Sequence, residues 1–172
     1  NRQSRNVEAL ELMGLSEQAS GDAINALERY EQVLEIQPNH PTALERFTGL
    51  AQQLGLTGRA IQLREQIRER APQNLNNRRV LALLYSSDAS HDKASRTIQD
   101  VIAVEGKTLQ NIVVLSQVLG ASEKNDEAIK VVQGYLDELG EQLKWNDMLL
   151  LAQAYERAGK IAETDAAIDK AI

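Results

Sequence analysis

Apolar residues along this chain recur at steps of three and four, in short and evenly spaced stretches. Within 41–72, Leu44, Phe47, Ala51 and Leu54 fall on one face of a helix. Gly55 to Gly58 interrupts that face, because glycine takes up turn geometry without steric penalty. Ala60, Ile61, Leu63 and Ile67 resume it on a second helix. Ala71-Pro72 ends that helix, since proline disfavours helix in the residue before it. Asn39-His40-Pro41 leads in, with Pro41 in a first helical turn. No stretch alternates with period two for long, so no strand is expected.

This punctuation returns every 34 residues. Alanines stand at Ala26, Ala60, Ala94 and Ala128. Pro38 and Pro72 are followed in phase by Gly106 and Gly140, and Gly21 and Gly55 by Ala89. A small-residue slot reads Gly14, Thr48, Ala82, Ser116, and a large apolar slot reads Met13, Phe47, Leu81, Leu115. Leu151, Ala152, Tyr155 and Gly159 continue the pattern, but Ala152 follows Ser116 by 36 residues. The extra pair belongs between Gly140 and Lys144, because connections absorb insertions more easily than packed helices. The expected organisation is one domain over 1–172, with repeats near 7–40, 41–74, 75–108, 109–144 and 145–172. A small residue in each helix lets its pair approach closely, and a larger one a turn away fills the remaining space. One pair cannot bury both of its faces, so pairs stack and share a core.

The pattern resembles the tetratricopeptide repeat over nearly the whole chain. Its signature, W-x2-L-G-x2-Y then A-x3-F then P, is matched most nearly by Met13-Gly14, Gly21-Asp22, Ala26 to Tyr30 and Pro38-Asn39. Leu151 to Lys160 matches it again in the fifth unit. Arg64, Ile98 and Val132 depart from the pattern at Tyr30's slot, Arg78 departs at that of Leu10 and Leu44, and Thr164 replaces the last alanine. Gly106 and Gly140 in place of proline are expected to loosen their turns. The resemblance implies an all-α, right-handed superhelix (an α-solenoid) of about five helix-turn-helix repeats. It also implies a noncatalytic protein-binding adaptor or assembly factor whose first helices line a groove for a partner segment. The high Gln and low Lys usage and the stretched fourth unit are similar in style to cyanobacterial and plastid repeat proteins of photosynthetic membrane assembly.

Helical geometry places the groove opposite the core stripe of each first helix. Its first-unit candidates are Glu8, Glu11, Leu15 and Gln18, and its second-unit candidates are Thr42, Glu45, Gly49, Gln52 and Gln53. Asn76 and Arg79, then Gln110 and Gln117, then Asn146 and Gln153 continue the face. Amide side chains both donate to and accept from the backbone of an extended peptide. Family members that grip chaperone tails use Lys, Arg and Asn on a terminal carboxylate. The corresponding positions here carry Glu11, Leu15, Arg46, Asn76 and Val80, of which only Arg46 and Asn76 fit, and this argues against such a tail.

Charge and composition narrow the field further. The 25 acidic residues outnumber the 19 basic ones, which argues against nonspecific nucleic-acid binding. The chain lacks cysteine and holds only His40 and His91, both expected in helix-entry hydrogen bonds. Phosphate-cradling glycine motifs are absent, so no cofactor, metal or enzymatic activity is expected. The longest apolar runs, Val80 to Tyr85 and Ile112 to Leu115, fall short of the ~18 residues of a membrane span. Arg59, Arg64, Arg68, Arg70, Arg78 and Arg79 read as a solvated face, with only Arg79 projecting into the groove. Trp145 reads as packing, and its exposure would mark a contact site. The chain starts without Met, as a fragment or processed chain does. Ile161, Ala167, Ile168 and Ala171 leave the last helix apolar with no cap after it. The alternative to groove capture is therefore a structural or oligomerisation domain that uses helix ends or the convex face, including self-association through that helix.

Overall fold

The computed structural model describes residues 2–169, and the side chains of 6–140 and 142–169. Among these residues it is all helix: α1 (Arg2–Ala19), α2 (Ala23–Ile36), α3 (Pro41–Gln53), α4 (Thr57–Arg70), α5 (Leu75–Ser87), α6 (His91–Glu105), α7 (Leu109–Ala121), α8 (Asn125–Leu139), α9 (Trp145–Arg157) and α10 (Ile161–Asp169). First helices begin at 41, 75 and 109, 34 residues apart, and then at 145. The longer step holds a 3-10 turn at Gly140–Gln142. Residues 170–172, including Ala171 of the expected last helix, lie outside the described residues.

All five hairpins close by one device. The second residue after the first helix takes a positive φ, and the next N–H reaches back five residues to a carbonyl. Asp22 N donates to Glu17 O, Leu56 N to Ala51 O, Ser90 N to Tyr85 O, Lys124 N to Leu119 O, and Lys160 N to Tyr155 O. Gly21, Gly55 and Gly159 suit that geometry, whereas Ala89 (φ 56°) and Glu123 (φ 61°) are held in it.

The chain divides into two compact units, one ending at Gln73 and the other starting at Asn74. In the first unit, α2 packs on α1 and α3, and α4 packs on α3. In the second, α5, α7 and α9 lie side by side, with α6 against α5 and α7, α8 against α7 and α9, and α10 against α9. The periodic alanines are buried in the core, with Ala26, Ala60 and Ala94 0% exposed and Ala128 3%. The small slot and the Tyr30 slot face each other. A Cβ on Gly14 would lie 2.9 Å from the Tyr30 ring.

That pairing corrects the reading of Arg64 as a surface residue. It occupies Tyr30's slot one repeat later and is buried, its Nε donating to Thr48 Oγ1 at 2.9 Å and its Nη2 to the Leu44 carbonyl at 3.2 Å. Burial lowers its pKa to about 10, which leaves it charged at neutral pH. Met13 is corrected in the other direction. It is exposed rather than buried in the large apolar slot, because α2, the helix packed against α1, does not cover it. Gly106 and Gly140 do not merely replace proline. Both turn to positive φ, and their N–H groups cap α6 and α8 on Ile102 O and Leu136 O.

Candidate functional site

In the first unit, side chains of α1 and α3 enclose an open groove of about 330 Å³. Gln18, Thr42, Glu45, Gly49 and Gln53 of the expected face line it together with Arg46 and the buried Leu50. Gln18 is held in place by two donors on its Oε1, Tyr30 Oη at 3.1 Å and Arg46 Nη1 at 3.1 Å. Burial raises the pKa of Tyr30, against the opposing pull of Arg46, so its hydroxyl stays a donor. The Gln18 NH2 group is left to donate elsewhere. Gly49 sits mid-helix, and a Cβ there would meet no atom within 4 Å.

Beside the groove, His40 caps α3, its Nδ1 accepting from Ala43 N at 3.3 Å. Its Nε2 therefore carries the proton and lies 3.8 Å from a carboxylate oxygen of the half-buried Glu11. Gln52 is exposed on α3, outside the groove lining. On the first helices of the second unit, Asn76, Gln110, Asn146 and Gln153 are exposed and Gln117 is half-buried. Among the described residues no group of His, Asp and Glu side chains converges to hold a metal ion, and no helix is long and apolar enough to cross a membrane.

No family's sequence model matches the chain, and no curated protein matches it. Solved structures do match. A tetratricopeptide repeat protein from Parabacteroides merdae superposes with a TM-score of 0.74 at 21% identity, covering 95% of this chain and 63% of its own. A Podosopora anserina kinesin light chain protein of nearly identical TPR-like repeats gives 0.71 at 21% identity, over 98% of this chain and 94% of its own. A thermophilic TPR protein from Thermus thermophilus gives 0.66 at 20% identity, over 96% and 89%. The chain has the tetratricopeptide-repeat fold. It spans 63% of the length of the Parabacteroides merdae protein.

Within this fold the second unit carries a polar cluster that the sequence reading missed, and it corrects the placement of Arg79. Arg79 does not project into a groove: it is 6% exposed. Its Nε donates to Asn111 Oδ1 at 2.7 Å and its Nη2 pairs with Glu105. Asn111, fully buried, donates its Nδ2 to Glu105 Oε2 at 3.0 Å and to the Gly106 carbonyl at 2.8 Å. The cluster ties α5 to the end of α6 and the start of α7. The signal for it was the run Asn77, Asn111, Asp147 at one repeat position, where the second repeat has Ala43. Two smaller expectations also change. His91 Nδ1 is buried without a hydrogen-bond partner among the described residues, and Trp145 is 61% exposed beside the exposed Leu143. Trp145 opens α9, and the equivalent opening residue of α3, Pro41, is also exposed.

Proposed function

We propose that this tetratricopeptide-repeat chain is a noncatalytic protein-interaction module. The groove of α1 and α3 captures an extended segment of a partner protein. Gly49 is the observation that carries this reading. A mid-helix glycine costs about 1 kcal/mol relative to alanine, and nothing packed inside the protein requires it here. It leaves a floor on which a partner's backbone can approach closely. Around that floor, Gln18 and Gln53 supply amide donors and acceptors, while Glu45 and Arg46 supply one charge of each sign. Such a lining suits a peptide backbone rather than a highly charged ligand. The exposed amides of Asn76, Gln110, Asn146 and Gln153, with half-buried Gln117, form the matching face of the second unit.

Affinity capture from native extract tests this reading with wild type and Gly49→Phe. The substitution fills the groove and leaves the helix core untouched. A partner held by wild type and lost with Gly49→Phe supports groove capture. Equal recovery by both rejects it. A second reading, a structural domain that associates through α10, is favoured by Ile161 and Ile168, which are 75% and 37% exposed. It predicts a mass that rises with concentration in sedimentation and falls to monomer with Ile161→Ser.

A further inference from the structure

The second unit contains an apolar slot on the side away from the amides of its first helices. Helices α6 and α8 each pack against α7 and leave a gap of about 270 Å³ between them. Ile112 and Leu115 of α7 form the floor, and Ile102 and Val131 form the flanks. Gly134 opens the slot. It stands in the middle of α8, where glycine is a poor helix former, and a Cβ there would meet nothing within 4 Å. A larger residue would simply close the gap, so the packing gives no reason for glycine.

Size and charge indicate the occupant. The volume falls below the roughly 300–1,000 Å³ of ordinary small-molecule pockets, so the slot suits a side chain or two rather than a whole ligand. The exposed Lys107 and Lys130 stand on the rim, and no carboxylate lines the slot, although the chain as a whole is acidic. Lys107 already holds the carboxylate of Glu138, and Lys130 makes no ion pair among the described residues. We propose that this slot is a second docking site, which takes a bulky apolar side chain of a protein partner flanked by acidic residues. The rim charge fixes the flanks and the apolar floor supplies the grip.

Amide shifts in NMR titrations test the proposal, with acetyl-Asp-Leu-Phe-Asp-amide as the probe and its Lys-flanked counterpart as the control. The acidic peptide is expected to shift the amides of Ile112, Val131 and Gly134 saturably and to bind at least tenfold more tightly than the control. Gly134→Leu should abolish the shifts, and Lys130→Glu, an exposed change that leaves the core intact, should reverse the ranking of the two peptides. The proposal is overturned by shifts confined to other residues, or by no saturable shift. Equal binding of the two peptides, or ranking unchanged by Lys130→Glu, also overturns it. Octanoate filling the slot while both peptides stay silent would assign it to small anionic amphiphiles instead. The groove of the first unit lies outside this titration, so either reading can fail alone.

Discussion

In the first unit the third residue of α3 is Ala43, buried and apolar. In the second unit the same place in α5, α7 and α9 is filled by Asn77, Asn111 and Asp147, buried and polar. The junctions differ to match. The first unit passes from α2 to α3 through Pro38 and the His40 cap. The second passes from α6 to α7 through Gly106, with Asn111 reaching back to its carbonyl and to Glu105. One unit restricts the turn covalently, the other with a satisfied polar cluster. The repeat therefore preserves geometry and leaves the means open. Polar groups concentrate inside the second unit, and the open polar groove belongs to the first.

The strongest way to break this contrast is to give the second unit the first unit's residue. Asn111→Ala strips a partner from Arg79 and from the Gly106 carbonyl in a buried place. A loss of about 3 kcal/mol or more in urea unfolding is expected. A loss under about 1 kcal/mol would mean that water replaces the amide and that the cluster holds nothing. Gly106→Ala comes next. Gly106 sits at φ 86°, ψ −175°, a region open to glycine and closed to other residues. Its replacement should cost about 1–3 kcal/mol, whereas Pro38→Ala at the matching junction should cost less than about 1 kcal/mol.

Glu123→Gly runs the other way. Relieving a left-handed glutamate should raise stability by roughly 1 kcal/mol, less the added freedom of the unfolded chain. Gly55→Ala, at the same position in the first unit, should lower it by a similar amount. An unchanged melting temperature for Glu123→Gly would show that side-chain contacts, not backbone strain, set that turn.

The smallest effect concerns pH. Lys160 binds Asp126 at 2.9 Å, linking the starts of α8 and α10 on the surface. Its hydrogen bond and charge hold Asp126 below the ordinary 3.8, and Asp126 in turn holds Lys160 above 10.5. For Asp126 the contribution is complete above pH 3.8 and disappears as pH falls through the lowered value. For Lys160 it is complete below pH 10.5 and disappears as pH rises through the raised value. Asp126→Asn should flatten both limbs slightly in pH-dependent melts, and an unchanged profile would show the pair to be fully screened.

The period, the helices and the buried alanines were legible in the sequence because each rests on local spacing and side-chain size. Helical geometry alone also put Gln18, Glu45, Gly49 and Gln53 on one expected face, and these line the groove, whereas Gln52 of that same face stands outside it. Arg64 and Arg79 were not legible, because what buries them lies elsewhere in the chain. Thr48 is 16 residues from Arg64, and Asn111 is 32 from Arg79. Ala89 was marked only by its phase with Gly21 and Gly55, and Glu123 was hidden for a different reason: a left-handed turn imposed by its neighbours leaves no mark on propensity. The slot at Gly134 is a missing side chain, which only packing can reveal.

Whether the groove of the first unit is the contact surface is most directly tested by photo-crosslinking in native extract. A benzophenone side chain at Gln53, in the groove, is compared with one at Gln62, exposed on α4. Groove capture predicts a discrete adduct from position 53 and none from position 62. The same adduct from both, or from position 62 alone, would contradict it.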